Sequence, residues 1–198
     1  MRHIFIKGEN PKKTLVLFHG TGGNEEDLVP VARIIDSKAS ILSLRGSVSE
    51  NGMNRFFRRL SEGVFDEEDI QTRAGEITEF LKTAISDYGL DSDELTAIGY
   101  SNGANIIAAI HYLHGRIFKE SILFHPMVPL QADPDTDLRG LDLFIGAGEN
   151  DPMVPIDNTR KLEKTLTEKG AEVTLKTYHK GHSLTLEEVN DARMWYEK

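Results

Sequence analysis

Seven short apolar runs, each closed by a turn residue and separated by stretches of helical spacing, constrain this 198-residue chain more than any other feature. They are IFIKG, TLVLFHG, SILSLRG, LTAIGYS, ESILFHP, LDLFIGAG and AEVTLKTY. Most are nearly continuous in apolar residues, as in strands buried on both faces of a parallel sheet; strands with one wet face alternate instead. Between them, Ile70, Ala74, Ile77, Phe80, Leu81, Ala84, Ile85 and Tyr88 recur at spacings of three and four. This predicts a helix over 66–88, with Asp66, Glu67 and Glu68 in its first turn and Gly89 as its stop. A second helix is expected over 156–169, stopped by Gly170, and a third after Ser183. Alternating strands and helices of this kind predict a single α/β domain over 1–198 with a mostly parallel central sheet, helices on both faces and no large cap domain.

Composition narrows the function classes. The net charge of −9 would repel a phosphate backbone, so nucleic acid is not an expected partner. No window approaches the roughly 18 apolar residues of a membrane span. The opening MRHIFIKGEN holds too short an apolar run for a signal peptide, and the expected location is cytoplasmic. Having no cysteine removes disulfides, thiolate metal sites and a cysteine nucleophile.

The run LTAIGYS leads into Gly99-Tyr100-Ser101-Asn102-Gly103, the pattern G-x-S-x-G, and a helix-like stretch follows at once. In a nucleophile elbow a strained turn lifts the serine hydroxyl off the sheet, and the flanking glycines let neighbouring backbone pass. The pattern is weak alone and gains weight from its strand-turn-helix setting. A glycine-bracketed turn with a capping serine would give the same letters.

A serine hydroxyl needs a base, and the base an orienting acid; in elbow hydrolases they follow the serine in the order acid, then histidine. His3 and His19 precede Ser101. His111 and His114 fall on the helix after it, and His125 comes too soon to leave room for an acid-bearing strand. His179 and His182 remain, in YHKGHSLT. Gly181 loosens the loop around His182, and Ser183 is available to cap the helix behind it, whereas His179 reads as an ordinary polar residue at a strand end. For the acid, GENDPMVP offers Asp151, with Glu149 as the second choice; Pro152 biases Asp151 toward extended backbone. An oxyanion hole is expected from the amides of Thr21, in the glycine-rich loop FHGTGGNEEDL, and Asn102. That loop lacks the phosphate-loop lysine and the dinucleotide glycine spacing. No cofactor is expected, and no metal: HYLH and HKGH supply pairs without a third ligand.

Residues 45–65 form a long connection in which Met53, Phe56 and Phe57 stand beside Arg45, Arg55, Arg58 and Arg59. Loops of this length are usually functional or mobile. One expectation is a pocket wall with Phe56, Phe57, Met127, Met153 and Val154 as apolar contacts and an arginine, Arg45 among them, meeting an anionic substrate group. The other is a satellite core whose arginines pair with the acids of 66–69.

FHGTGGNEEDL, LRGSVSENGMNRFFRRLSEGVFDEEDI, GYSNGANI, GENDPMVP and KGHSLT, in that order over nearly the whole chain, resemble the small carboxylesterase/phospholipase branch of the α/β-hydrolases, which includes the acyl-protein thioesterases. The chain is most similar to the short bacterial members associated with hydroquinone stress. The resemblance implies Ser101 as nucleophile, Asp151 and His182 as its partners, and Thr21 and Asn102 as oxyanion donors. Asn102 stands where acyl-protein thioesterases usually carry glutamine. The function expected is hydrolysis of small or short-chain carboxylic esters through an acyl-enzyme. The alternatives are a thioesterase or lysophospholipase acting on longer chains, and a hydrolase-fold binding protein without catalysis. The partners expected are a small-molecule ester and, for assembly, a homodimer.

Overall fold

The computed structural model describes residues 1–61 and 63–198. In chain order the elements are β1 (His3–Ile6), β2 (Asn10–Phe18), α1 (Val29–Ile35), β3 (Ala39–Leu44), β4 (Val48–Glu50), β5 (Met53–Arg55), β6 (Arg59–Ser61), β7 (Val64–Phe65), α2 (Glu67–Tyr88), β8 (Leu95–Tyr100), α3 (Asn102–His114), β9 (Glu120–Phe124), β10 (Asp142–Gly148), α4 (Ile156–Glu168), β11 (Glu172–Tyr178) and α5 (Leu186–Tyr196). Each of the seven apolar runs is a strand of one sheet, in the order β1-β3-β2-β8-β9-β10-β11. All neighbours run parallel except β1, which pairs antiparallel with β3 at the edge.

Alternate residues of β2 divide the interior. Leu15 and Leu17 face a layer containing Ala32 and Ile35 of α1 and Val189 and Ala192 of α5. Val16 and Phe18 face the opposite layer, with Ile77 and Leu81 of α2, Ile106 and Ile110 of α3, and Leu162 and Leu166 of α4. The period of two in a strand puts neighbours on opposite faces, so a strand covered by helices on both sides must be apolar throughout.

The helix signals act where expected at α2. Asp66 accepts a hydrogen bond from the Asp69 amide at 3.1 Å, and Gly89 ends the helix at φ 61°. At α5 the cap differs from expectation. Thr185, not Ser183, is the N-cap, in a reciprocal capping box with Glu188. The connection over 45–65 is also not a single loop: it folds into two small antiparallel hairpins, β4–β5 and β6–β7. Among the described residues no large cap covers the sheet, and no helix is long and apolar enough to cross a membrane.

Register aligns the strand ends. Phe18 of β2 pairs with Gly99 of β8, Tyr100 with Phe124 of β9, Phe124 with Gly146 of β10, and Gly148 with Tyr178 of β11. The segments after β2, β8, β9, β10 and β11 therefore leave the sheet along one edge. Chain order reverses between β2 and β8, and ligand crevices of open α/β sheets form outside the strand carboxyl ends at such a switch.

Candidate active site

Ser101 stands between β8 and α3 with φ 51° and ψ −113°, backbone that L side chains rarely adopt. Its neighbours leave little alternative. A Cβ on Gly103 would lie 2.0 Å from the Phe18 carbonyl oxygen, and one on Gly99 would lie 2.7 Å from the Ala104 nitrogen. The Ser101 amide donates to the Phe124 carbonyl and its own carbonyl accepts from Asn105, both at 2.9 Å. Asn102 is the first residue of α3, so its N–H has no intrahelical acceptor.

The loop after β11 brings His182 over this turn. Its Nε2 lies 2.8 Å from Ser101 Oγ and its Nδ1 lies 2.7 Å from Asp151 Oδ2. A carboxylate accepts only, so Nδ1 carries the proton and Nε2 accepts from the serine hydroxyl. The Tyr100 hydroxyl donates to the His182 carbonyl at 2.7 Å and fixes the loop. Asp151 Oδ1 accepts from the amides of Met153 and Val154 at 2.8 and 3.0 Å. Burial alone would raise the Asp151 pKa, but the His182 hydrogen bond and these two amides outweigh it and hold the carboxyl below its usual range. Glu149, the second choice for the acid, instead lies on the surface with Thr177 and His179, and His179 is 86% exposed.

Behind this chain lies a pair that order along the sequence did not disclose. His125 follows β9 with φ 52° and is fully buried. Its Nδ1 is 3.3 Å from Asp151 Oδ2, and its Nε2 is 3.0 Å from Oε1 of the buried Glu188. The second approach is off-line, an ion-pair contact rather than a directed hydrogen bond. Burial pushes the Glu188 carboxyl up, but His125 and the Thr185 amide reverse this and leave its pKa lowered. His125 is thus held between two carboxylates, one at each ring nitrogen. Glu188 could have been noticed through the spacing T-x-x-E over 185–188, which marks a capping box. His125, Asp151 and His182 each bring one metal-capable atom within 4.8 Å of the others. Hydrogen bonds already join these atoms, with both histidine Nδ1 atoms directed at the same carboxylate oxygen.

On the other side of Ser101, the loop after β2 is held by the first hairpin. The Gly22 amide donates to the Asn54 carbonyl at 2.8 Å, and Asn54 Nδ2 donates to the Gly23 carbonyl at 2.7 Å. Arg55 Nη1 donates to Thr21 Oγ1 at 2.7 Å. Buried His19 accepts from the Gly46 amide on Nε2 at 3.0 Å and faces the Gly20 carbonyl with Nδ1 at 2.6 Å, which makes it the Nδ1–H tautomer. Desolvation lowers its pKa, so it serves here as a neutral strut. Thr21 and Asn102 thus flank Ser101 on the wall of one cavity of about 490 Å³.

The expected substrate contacts divide. Met127, Met153 and Val154 line the cavity. Phe56 and Phe57 do not: both are buried in the main core, Phe56 with its ring 5.4 Å from Phe18 and Phe57 with its ring 5.1 Å from Phe65. They are core because the hairpins turn them under the segment, away from its cavity side. Arg45 is likewise outside the cavity, paired with Glu25. Arg58 pairs with Asp66 at 3.1 Å and Asp69 at 3.6 Å, as the satellite-core expectation has it. The arginines that reach the cavity are Arg55 and Arg59, and Phe65 is an aromatic of this segment on its wall.

Comparison with known proteins agrees with this architecture over the full length. The profile of the family described as Phospholipase/Carboxylesterase matches residues 1–198. A protein named as the hydrolase MhqD from Bacillus subtilis (strain 168) is 44% identical over 198 residues, which cover 100% of this chain and 98% of that one. The crystal structure of the Bacillus cereus carboxylesterase superposes with a TM-score of 0.97 at 48% identity, covering 100% of this chain and 93% of that chain. A carboxylesterase from Mesorhizobium loti gives a TM-score of 0.93 at 30% identity, covering 98% and 93%. With its strand order, its serine turn and these full-length matches, the chain belongs to the phospholipase/carboxylesterase family of hydrolases, built on the α/β-hydrolase fold.

Proposed function

We propose that the chain cleaves carboxylic esters with Ser101 as nucleophile, His182 as general base and acid, and Asp151 as the orienting acid. The observation that carries this reading is the line Ser101 Oγ to His182 Nε2 at 2.8 Å and His182 Nδ1 to Asp151 Oδ2 at 2.7 Å, set on a strained turn in the wall of a cavity. His182 takes the hydroxyl proton as Ser101 Oγ bonds to the ester carbonyl carbon, and the carbonyl π electrons move onto oxygen. In this reading the oxyanion is met by the amides of Thr21 and Asn102, both on the wall of the same cavity. The C–O bond to the alcohol then breaks, His182 returns the proton to the departing oxygen, and an acyl-serine remains. Water repeats the sequence: His182 takes its proton, hydroxide oxygen adds to the acyl carbon, and the acid leaves as Ser101 is reprotonated. Through this cycle Asp151, kept ionised by its hydrogen bonds, stabilises the imidazolium that forms each time.

A cavity of this size, with no large cap over it among the described residues, supports small or short-chain substrates. The test is Ser101→Ala. The variant is expected to fold as the native chain, to lose covalent labelling by a fluorophosphonate, and to lose about a thousandfold or more in ester turnover. Labelling or turnover that survives the substitution overturns the reading.

A further inference from the structure

The chain carries a net charge of −9, yet the cavity beside Ser101 is lined by two arginines and, among the described residues, by no aspartate or glutamate. Arg55 closes β5 and Arg59 opens β6, so the two hairpins present them from adjacent positions. The four arginines of this segment are not equivalent. Arg45 and Arg58 have carboxylate partners away from the cavity, Glu25 for the first and Asp66 and Asp69 for the second. Arg55 and Arg59 share one: Glu50 lies 3.3 Å from Arg55 Nε and 2.7 Å from Arg59 Nε. One carboxylate between two guanidinium groups leaves a surplus of one positive charge on the cavity wall.

That surplus sits where it is costly without a counter-ion. The Arg55 side chain is only 5% exposed, and burial followed by the neighbouring Arg59 charge lowers its pKa. Its orientation is fixed by donation to Thr21 Oγ1 at 2.7 Å and to the Phe57 carbonyl at 3.2 Å, with the guanidinium 5.7 Å from the Phe57 ring centre. A guanidinium has five N–H donors, and these contacts leave some of them for another acceptor. Arg59, 25% exposed, is the more accessible of the two. A fork of donors bearing one net charge matches a carboxylate, whereas a phosphate monoester would bring nearly two.

We propose that Arg55 and Arg59 form a carboxylate subsite, and that the preferred substrates are esters carrying a second, ionised carboxyl group, such as half-esters of short dicarboxylic acids. This rests on the ester-hydrolase reading above and adds to it the charge of the substrate. Arg55 also touches the side chain of Thr21, so the subsite and the oxyanion loop share a wall; the bound carboxylate is thereby placed within the same cavity as the reacting carbonyl.

The experiment compares esters matched in size and differing in charge. Monomethyl glutarate against its terminal amide places the carboxylate on the acyl side; acetoxyacetate against acetoxyacetamide places it on the alcohol side. For at least one pair, kcat/KM is expected to favour the anion by about tenfold or more, and the preference is expected to shrink with added salt. Arg59→Gln and Arg55→Gln should each reduce that ratio by about tenfold. Arg58→Gln, outside the cavity, should retain it. Arg59→Gln keeps the proposal testable if the more buried Arg55→Gln does not fold. Ratios near one for both pairs in the native enzyme, or a preference that survives in Arg59→Gln, overturn the subsite.

Glutarate binding to Ser101→Ala, measured by calorimetry, separates this outcome from failure of the mechanism. Binding that is lost when Arg59→Gln is added supports the subsite even if Ser101 proves dispensable for turnover. Absent binding, alongside Ser101-dependent hydrolysis of the amides, overturns the subsite and leaves the mechanism standing.

Discussion

Asn102 Oδ1 accepts the backbone N–H of Phe56 at 2.7 Å, so the residue that follows Ser101 also fastens the 45–65 segment to the head of α3. One residue thus places its amide beside the nucleophile and its side chain under the cavity wall. Asn102→Ala keeps the amide and removes the fastening. It leaves the buried Phe56 N–H without its partner, at an expected cost of about 1–3 kcal/mol in stability. Ester kcat/KM should fall chiefly through KM, because the wall rather than the amide is lost. Chemical denaturation together with steady-state kinetics checks both parts.

Phe57→Ala removes a ring that is wholly buried between the segment and the main core. The expected loss is about 3–5 kcal/mol in unfolding free energy, read from urea titration. Had Phe57 been a substrate contact, the variant would instead alter KM for particular acyl groups with little effect on stability.

The buried Glu188 gives an acid-stability prediction. Burial pushes its carboxyl up, but His125 and the Thr185 amide and hydroxyl outweigh this and hold its pKa below the usual carboxylate range. Stability from this group is therefore present above the carboxyl's unfolded pKa and is lost as pH falls through the lower folded value. Thermal unfolding of Glu188→Gln should be less steeply pH-dependent over that acid range than that of the native protein; an unchanged dependence would show that Glu188 contributes nothing to it.

His111 gives a stability prediction. It is buried in α3 with Nε2 at 2.9 Å from Ser121 Oγ, and burial pushes its pKa down from 6.5 to about 4, partly opposed by the Gly115 carbonyl. Below pH 6.5 the unfolded chain takes up this proton before the folded one does, so folding stability falls as pH falls. The contribution is complete above 6.5 and is lost progressively down to about 4, amounting to about 3 kcal/mol. Thermal unfolding across this range should be less pH-dependent in His111→Gln than in the native protein.

Much of the scaffold was legible because its physics is local. Strands such as Thr14–Phe18 are covered on both faces and so read as unbroken apolar runs, and Gly89 and Gly170 mark helix ends through a backbone that other residues resist. Ser101, Asp151 and His182 can be picked out by order along the chain, and in the structure His182 lies within hydrogen-bonding distance of each of the other two. The 45–65 segment was not legible in the same way. Phenylalanines are equally at home in a core and in a pocket wall, and which of four arginines turns inward depends on the pairing of two hairpins. α1 has only seven residues, too few for its periodicity to stand out. His125 was passed over because order in the chain carries no information about the left-handed backbone that turns its ring back under Asp151.

Glu188 has a double attachment: Oε2 accepts from the Thr185 amide at 2.6 Å to begin α5, while Oε1 faces His125. The start of the final helix and the histidine behind Asp151 are therefore tied through a single carboxylate, and truncation ahead of α5 removes a charge from beside that histidine as well as a helix from the face of the sheet.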